Sequence, residues 1–381
     1  MANINLDRIV KHFGGFAAVT ETSITVQDGE FVFLLGPSGC GKTTTLRMIA
    51  GLEMPTSGRI EIGGRNVTFL RPRYRNIGMV FQDYGLYRHM TVFGNIAYPL
   101  QVRGLAKQEI EEKVGAVAGT MQIGEVLGKK PDQLSAGQLQ RVAIARMLVR
   151  DADVFLMDEP MSHLDAQLRG RMRAELRHIQ KKIGTTTIFV THDQLEAMTM
   201  ADRIIVMKDG HMLQFATPRE IFERPQTEFV ATFVGEPQMN VLDCNIVRSD
   251  TGFIADCGAF SVALNPDWVG KYGLAQHAGR RLRIGIRPEH ISVANEVGPA
   301  HPIAVELYSF EPTGAENLYV LRTGSVEVTT RTSTDETAHL KKAEGTCLAM
   351  RFDPAWMYIF DPENGRTIAF AAASRTDSDE G

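Results

Sequence analysis

The stretch Gly36-Pro-Ser-Gly-Cys-Gly-Lys-Thr43 has the residue types and spacing of a phosphate-binding loop, G-x-x-x-x-G-K-[ST]. Its glycines let successive backbone N–H groups turn towards a phosphate, and the helix expected after it adds positive potential at its N-terminus. We expect Lys42 to contact the β- and γ-phosphates of ATP and Thr43 to offer its hydroxyl to Mg²⁺. The candidate nucleotide-binding residues here are Ser38, Gly39, Cys40, Gly41, Lys42, Thr43 and Thr44. A chance glycine-rich turn is the alternative, and the flanking strand and helix patterns argue against it.

Two adjacent acids, Asp158 and Glu159, end the apolar run Val154-Phe-Leu-Met. A carboxylate at the tip of a buried strand next to a phosphate loop is placed to hold Mg²⁺ through water, which we assign to Asp158. Glu159 would then lie beside the γ-phosphate and polarise the attacking water. The alternative is a strand-end turn with solvated acids.

Cys40 lies between two glycines of the phosphate loop and close to Lys42. A neighbouring cation and a helix N-terminus both lower the pKa of a thiol. This position therefore predicts a solvent-exposed, reactive thiol that bound ATP would shield. A small, inert side chain packed under the loop is the alternative.

The elements that must position these residues alternate along the first part of the chain. Strand patterns at residues 31–35, 154–157 and 186–191 are followed by helix patterns at 42–50, 166–182 and 193–200. Such alternation predicts an α/β domain with a mostly parallel sheet covered by helices. We place this domain at residues 1–235, with a helical subdomain at about 88–153.

The pattern changes near Gly235-Glu-Pro237, after which short alternating strands are separated by Gly, Pro and Asp. Examples of these strands are residues 281–286 and 305–308. They predict a small all-β barrel domain at residues 236–370. The polar end, residues 371–381, is predicted to be disordered.

The composition excludes several classes of protein. With 381 residues, 44% hydrophobic and 23% charged, the chain has the profile of a globular protein of two or more domains. Its formal net charge of −4 gives no basic footprint for nucleic acid. No apolar run approaches the length of a membrane span. The four cysteines lack metal-ligand spacing and the N-terminus lacks a signal-peptide pattern, which favours a reducing, cytosolic location.

Leu134-Ser-Ala-Gly-Gln138 resembles the LSGGQ signature of the ABC-transporter ATPase family. Ser135 and Gln138 have the spacing of a capping box, so a helix should begin here and present its N-terminus to an anion. In the family that anion is the γ-phosphate bound by the other subunit, which implies nucleotide-binding roles for Ser135, Gly137 and Gln138. Ala136 departs from the usual Gly, and Leu139 stands where Gln is common.

The other family motifs follow in order along the chain. Gln82 resembles the Q-loop glutamine, a Mg²⁺ ligand and sensor of the γ-phosphate. Met161-Ser-His-Leu-Asp165 resembles the D-loop, and His192 resembles the switch histidine that contacts the γ-phosphate. Phe13 resembles the aromatic residue that stacks on adenine, with Ala18 against the nucleoside. Outside this ordered context, a lone Gln, His or Phe would be interpreted as a surface or core residue.

The C-terminal part resembles the transport-associated, OB-like regulatory domain of maltose-type sugar importers. The matching segments are Met239-Asn-Val-Leu, Gly285-Ile-Arg-Pro-Glu-His290, Glu311-Pro-Thr-Gly-Ala-Glu and Phe360-Asp-Pro-Glu-Asn-Gly. The importer ATPases for polyamines, iron and sulfate share parts of these segments, so the resemblance favours sugars or related polyols and glycosides without naming the solute. Importers of other solutes, glycerol phosphate included, stay open. A non-transport ABC ATPase is disfavoured because tandem cassettes, long coiled coils and a basic patch are not seen.

The resemblance also implies partners. One chain carries one phosphate loop and one signature, so two ATPase subunits, identical or different, should pair head to tail around two ATP sites. Two transmembrane permease subunits and an external solute-binding protein would complete the importer, which places the chain peripherally at the cytoplasmic face of the inner membrane. We expect the permease to dock near residues 82–98, where Tyr84, Leu86, Tyr87 and Met90 would form an exposed apolar patch.

Overall fold

The computed structural model describes residues 2–250, 252–341 and 343–371. Residues 372–381 of the predicted disordered tail lie outside this part of the chain. The chain divides into two compact units, Met1–Pro218 and a second that begins at Arg219. Each unit has its own sheets and its own hydrophobic core.

The first unit contains two sheets and six α-helices in its described residues. Its strands are β1 (Ile4–Phe13), β2 (Phe16–Val26), β3 (Phe31–Leu35), β4 (Ser57–Ile62), β5 (Arg65–Asn66), β6 (Ile77–Val80), β7 (Val154–Asp158), β8 (Thr186–Thr191), β9 (Arg203–Lys208) and β10 (His211–Ala216). Its helices are α1 (Lys42–Ala50), α2 (Val92–Val102), α3 (Lys107–Thr120), α4 (Ala136–Leu148), α5 (Ala166–Ile183) and α6 (Gln194–Met200).

The central sheet has the strand order β10-β9-β3-β8-β7-β6 and is parallel except for the β9–β10 pair. Every residue of β3, β7 and β8 is buried, as expected for strands with helices on both faces. The predicted strands and helices of this region are confirmed to within two residues at each end. The carboxyl ends of the parallel strands lie along one edge of the sheet, where ligands of α/β proteins bind.

A four-stranded antiparallel sheet, β2-β1-β4-β5, was not predicted as a separate layer. Its strands alternate buried and exposed residues, which indicates one face on the core and one towards solvent. The hairpin joining β1 to β2 carries Phe13 at its tip, paired with Phe16. This hairpin therefore determines where the candidate adenine-stacking residue lies.

Residues 92–148, all of which the structure describes, hold α2, α3 and α4 and no strand. The capping box predicted at the signature is present: Gln138 N–H donates to Ser135 Oγ at 3.4 Å, and Ser135 N–H donates to Gln138 Oε1 at 3.0 Å. Helix α4 thus begins at the residue after Ser135.

The second unit is mostly β-structure. Its strands are β11 (Asn240–Ser249), β12 (Gly252–Asp256), β13 (Ser261–Ala263), β14 (Arg281–Ile286), β15 (Ile291–Ala294), β16 (Ile303–Pro312), β17 (Glu316–Thr323), β18 (Val326–Ser333), β19 (Cys347–Phe352), β20 (Met357–Phe360) and β21 (Thr367–Ala369). Three short helices, α7 (Pro218–Glu223), α8 (Glu228–Phe233) and α9 (Pro266–Lys271), accompany them. The sheets are β13-β12-β11-β14-β20-β21 and β15-β19-β16-β17-β18. Asn240 links them, because its side chain exchanges two hydrogen bonds with the backbone of Thr329, at 2.7 and 2.8 Å. A barrel-like β unit is thereby confirmed, with three short helices that the sequence did not predict.

The second unit begins earlier than the predicted boundary after residue 235. Arg287, only 2% exposed, donates hydrogen bonds to the carbonyl oxygens of Phe222 and Val234 at 2.7 and 2.8 Å. Thr367 donates to the carbonyl oxygen of Pro225. These hydrogen bonds attach the segment that begins at Arg219 to the β-strands of the second unit. No sequence pattern predicts them.

In the part of the chain that the structure describes, no helix combines the length and the apolar character that crossing a membrane requires.

Candidate nucleotide-binding and hydrolysis site

The phosphate loop follows β3 and leads directly into α1. Lys42 is 5% exposed, and its ammonium donates to the carbonyl oxygens of Gly36 and Pro37 at 2.7 and 2.9 Å. Gly41 needs to be glycine, because its φ is +103° and a Cβ there would lie 2.5 Å from the carbonyl oxygen of Ala18. Of the other candidate residues, Ser38 and Gly39 are exposed and Thr44 is half-buried.

The prediction of a reactive thiol at Cys40 is wrong. The side chain is 2% exposed and belongs to the core beneath the loop. Burial raises the pKa of the thiol, and this effect outweighs the opposing charge of Lys42. The loop is exposed at its outer residues, but it turns the side chain of Cys40 inward.

Thr43 and Asp158 meet at the carboxyl edge of the parallel sheet. The Thr43 hydroxyl donates to Asp158 Oδ1 at 3.0 Å. Burial raises the pKa of Asp158, and the Thr43 hydrogen bond opposes this shift. A hydroxyl and a carboxylate are hard oxygen donors that suit Mg²⁺, which takes few protein ligands and completes its shell with phosphate and water. The described residues contain no cluster of three or more His, Cys, Asp and Glu that could hold a metal ion.

Glu159 and His192 come from the ends of neighbouring strands, β7 and β8. Glu159 Oε2 lies 3.1 Å from His192 Nδ1, with 19% and 55% of their side chains exposed. Glu159 has φ +44°, a left-handed conformation that is uncommon outside glycine. Its backbone N–H donates to the carbonyl oxygen of Val190 at 3.1 Å, which ties this residue to the strand that precedes His192. The carboxylate is therefore fixed and still reachable from solvent.

Two further interactions support this pair and were missed by the sequence analysis. Arg169 forms an ion pair with Asp193 at 3.1 Å and donates to the carbonyl oxygen of Leu164, so it joins the segment before α5 to the residue after His192. The Thr191 hydroxyl donates to the buried Glu196 carboxylate at 2.6 Å, and burial raises the pKa of Glu196. The Arg169–Asp193 and Thr191–Glu196 interactions have no sequence signature, since each depends on which loops the sheet brings together.

The signature residues contact each other and helix α5, and not the Thr43–Asp158 or Glu159–His192 pairs. Ser135 and Gln138 bond each other at the start of α4, and Gly137 packs so closely on α5 that a Cβ would lie 2.8 Å from Leu168 Cδ2. Asp165 caps α5 by accepting a hydrogen bond from Leu168 N–H at 2.9 Å. Side-chain contacts therefore join Thr43 with Asp158 and Glu159 with His192, whereas the signature lies on a separate surface.

Phe13 and Gln82 both present exposed side chains. Phe13 is 47% exposed, and the Lys11 ammonium lies 4.6 Å from its ring centroid. An aromatic face open to solvent suits stacking on a base. Ala18 is buried.

The predicted apolar patch at residues 84–90 needs a correction. Tyr84 is 8% exposed, because its ring packs edge-on against His163 with centroids 6.1 Å apart. Leu86 and Met90 are half-buried, and Tyr87 is exposed. The structure instead has a groove of about 460 Å³ whose lining includes Tyr87 together with Leu52, Tyr98, Val102 and Arg146. We call this the Tyr87 groove.

Comparison with known families and proteins agrees with this geometry. The chain matches the "ABC transporter" family over residues 19–162, the "MalK OB fold domain" over residues 235–291 and the "TOBE domain" over residues 284–360. It is similar to the post-hydrolysis dimer of the ATP-binding cassette MJ0796 bound to ADP and Pi, with a TM-score of 0.52 and 30% identity over 56% of this chain and 98% of that one.

Two curated relatives match nearly the whole chain. The trehalose/maltose import ATP-binding protein MalK of Thermococcus litoralis is 46% identical over 97% of this chain and 100% of its own length. The sn-glycerol-3-phosphate import ATP-binding protein UgpC of Chromobacterium violaceum is 44% identical over 98% of both chains. This chain therefore belongs to the ABC-transporter ATPase family. Within that family it is an import ATP-binding subunit with a MalK-type C-terminal region, and it binds nucleotide and hydrolyses ATP to drive import.

Proposed function

We propose that Glu159 polarises the attacking water and that His192 positions Glu159 and contacts the γ-phosphate. The observation that carries this proposal is the 3.1 Å contact between Glu159 Oε2 and His192 Nδ1 at the carboxyl edge of the sheet. Lys42, at the start of α1, would exchange its carbonyl partners for phosphate oxygens. The N-terminus of α1 and the backbone of residues 38–44 would supply the remaining phosphate contacts.

Mg²⁺ fits the oxygen donors near the phosphate loop. Thr43, Asp158 and Gln82 would hold it, with Asp158 acting through water. When bound, the ion neutralises charge on the β- and γ-phosphates. The bond from Thr43 to Asp158 supports this assignment, since it already brings two of the three donors together.

A complete site requires a second ATPase subunit. The signature residues Ser135, Gly137 and Gln138 form a helix N-terminus that suits an anion, yet their contacts are with each other and with α5. In a head-to-tail pair, each signature would face the ATP held by the partner, as the exposed position of Ser135 and Ala136 allows. Asp165 would lie at this dimer interface. The pair would be a homodimer, or a heterodimer if Ala136 marks a specialised subunit.

The Tyr87 groove is the proposed docking site for two permease subunits, one on each ATPase chain. Exposed apolar side chains line it, including Leu52 at 46%, Val102 at 69% and Tyr98 at 37% exposure. Such a cluster is typical of an interaction surface. Docking there would hold the chain at the cytoplasmic face of the inner membrane, with an external solute-binding protein acting through the permease. The all-β unit would serve as a regulatory domain.

The proposed solute is a sugar or a related polyol or glycoside. The segments that resemble sugar importers support it, as does the similarity to a trehalose/maltose import protein. sn-Glycerol 3-phosphate is a second candidate, because the relative that imports it is almost as similar. The chain co-purified with its permease and solute-binding partners should show ATPase activity stimulated by its own solute. Maltose, trehalose and sn-glycerol 3-phosphate, tested separately, would distinguish the candidates.

The catalytic proposal is tested with Glu159→Gln, which keeps size and hydrogen bonding but removes the carboxylate. We expect ATP binding to remain and hydrolysis to fall at least about 100-fold, in the range of lost catalytic groups. The variant should accumulate as an ATP-bound dimer in size-exclusion chromatography with ATP and Mg²⁺. Glu109→Gln, at an exposed site on α3, is the control. Normal hydrolysis by Glu159→Gln would refute the assignment, and a purely monomeric ATP-bound variant would refute the composite site.

A further inference from the structure

Arg146 connects three parts of the first unit that have separate roles. It lies in the last turn of α4, the helix whose N-terminus carries the signature. Because α4 has 13 residues, its two ends are about 20 Å apart. A side chain at the far end can therefore act on the ATP site of its own chain, whereas Ser135 is proposed to face the ATP held by the partner.

The guanidinium of Arg146 holds the loop that follows Gln82. It donates to the carbonyl oxygen of Tyr84 at 2.9 Å and to that of Gly85 at 2.7 Å. These acceptors are two and three residues after Gln82. Two donors of one planar group on consecutive carbonyls restrain the orientation of the loop as well as its position.

The held backbone has an unusual conformation. Tyr84 and Gly85 have φ values of +63° and +55°, and for a tyrosine this left-handed region is unfavourable. Such a residue persists only where its surroundings hold it. The Arg146 hydrogen bonds and the packing of the Tyr84 ring on His163 supply that restraint.

The same arginine forms part of the Tyr87 groove. It lines the cavity, and its guanidinium carbon lies 5.7 Å from the centroid of the Tyr87 ring. A partner that enters the groove therefore meets the group that holds the Gln82 loop. Arg141, on the same helix, is directed elsewhere: it bonds the carbonyl oxygen of Met121 and the carboxylate of Glu175.

We propose that Arg146 is a positioning residue that fixes Gln82 in the ATP site by fastening the loop after it to the signature helix. This inference rests on the proposed role of Gln82. The groove, the loop and the helix then move as one body, so binding of a partner in the groove changes the position of Gln82. The contacts of Arg146 are with Tyr84, Gly85 and the Tyr87 ring, and it is not one of the residues proposed to hold nucleotide or Mg²⁺.

A double-mutant cycle on the full chain tests the proposal. The ATPase rate per subunit at saturating ATP and Mg²⁺ is measured for Arg146→Lys, Gln82→Ala and the double variant. The protein concentration is kept in the range where the rate per subunit does not depend on it. Lysine keeps the charge but cannot bridge two carbonyls as a planar fork. We expect Arg146→Lys to lower kcat about tenfold, the scale of a misplaced group, with KM for ATP changed less than about twofold. The double variant should be no slower than Gln82→Ala, since the residues act in series.

Arg141→Lys is the matched control and should leave kcat within about twofold of wild type. Gly85→Ala disturbs the same loop without replacing Arg146, because alanine is strained at a φ of +55° and its Cβ would lie 3.3 Å from Phe81 Cδ2 and 3.4 Å from Arg146 Nη2. It should reproduce the kcat loss even if Arg146→Lys folds poorly. If the kcat loss of Arg146→Lys, or of Gly85→Ala in its place, multiplies the kcat loss of Gln82→Ala in the double variant, Arg146 does not act through Gln82. The proposal for Arg146 would then fail while the proposed role of Gln82 would stand. Wild-type activity of Gln82→Ala would overturn the proposed role of Gln82 as well.

Discussion

Arg75 offers a stringent test of how the phosphate-loop helix is held in place. It is 2% exposed, and all its described hydrogen bonds go to backbone carbonyl oxygens. The acceptors are Met48, Ile49, Thr68 and Leu70, at 2.7, 2.8, 2.9 and 2.7 Å. Two of these carbonyls belong to the last turn of α1, where helices leave carbonyls without partners and where a cation is favourable.

Replacing Arg75 by Met keeps much of the side-chain volume and removes these hydrogen bonds. Each buried carbonyl left without a donor costs about 1–3 kcal/mol. Removing the buried charge returns part of this cost: burial lowers the pKa of Arg75 to about 10, which corresponds to about 3 kcal/mol. Because Gly51 N–H still donates to the Met48 carbonyl, three carbonyls lose their donor, at a cost of about 3–9 kcal/mol in all. After the returned charge burial is subtracted, the net loss of stability should be about 3 kcal/mol at the middle of that range.

Scanning calorimetry of the full chain measures this loss. The chain has two units, so the transition of the first unit is identified as the one that ATP and Mg²⁺ shift upward. Arg73→Met, at an exposed site two residues earlier, is the control and should change stability by less than about 0.5 kcal/mol. A loss below about 1 kcal/mol for Arg75→Met would show that water replaces the guanidinium at little cost, and the reasoning would be wrong.

Three further predictions follow from the site. Burial raises the pKa of Asp158 in the folded chain, so its ionised form destabilises the fold above that pKa. Asp158→Asn should therefore raise the melting temperature at pH 8 and abolish hydrolysis. The gain in melting temperature should disappear as the pH falls through the raised pKa. Ala136→Asp should leave the melting temperature unchanged or higher, because an acid suits the first turn of α4, while hydrolysis is lost to repulsion of the partner's γ-phosphate; normal ATPase rates would exclude this segment as the signature. Of the four cysteines, all within the described residues, Cys347 should react first with maleimide and Cys40 should stay unlabelled in peptide mass spectrometry, whether or not ATP is present.

Much of the first unit could be predicted because local patterns and global fold agree there. The buried runs at β3 and β8 lie between turn residues, and each leads into a helix. Asp193 caps α6, whereas α1 begins at the phosphate loop without a side-chain cap. Motif spacing also gave the residues that meet at the sheet edge, since parallel strands bring their carboxyl ends together. The Thr43–Asp158 contact spans 115 residues of sequence and still follows from two short motifs.

The failures have a different physical origin. Exposure of a loop does not determine where one of its side chains points. The sequence therefore predicts a solvent-exposed Cys40, whereas the side chain lies in the core. The run of apolar residues after Gln82 predicts an exposed patch that includes Tyr84, whereas Tyr84 has a left-handed φ and its ring packs on His163. The start of the second unit depends on Arg287, a long-range contact that no periodicity reveals.

Three buried or half-buried cations of the first unit share a mode of binding with different consequences. Lys42, Arg75 and Arg146 all donate to backbone carbonyls, so each one fixes a loop by its main chain and tolerates variation in the loop's side chains. Lys42 is one flexible ammonium with three donors, and it can exchange carbonyls for phosphate oxygens without dismantling the loop. The arginines hold several carbonyls through a rigid planar group, and releasing them would expose several acceptors at once. On ATP binding, only Lys42 should therefore exchange its carbonyl partners. The guanidinium contacts at the end of α1 and after Gln82 should persist, so movement of the Gln82 loop also moves the groove.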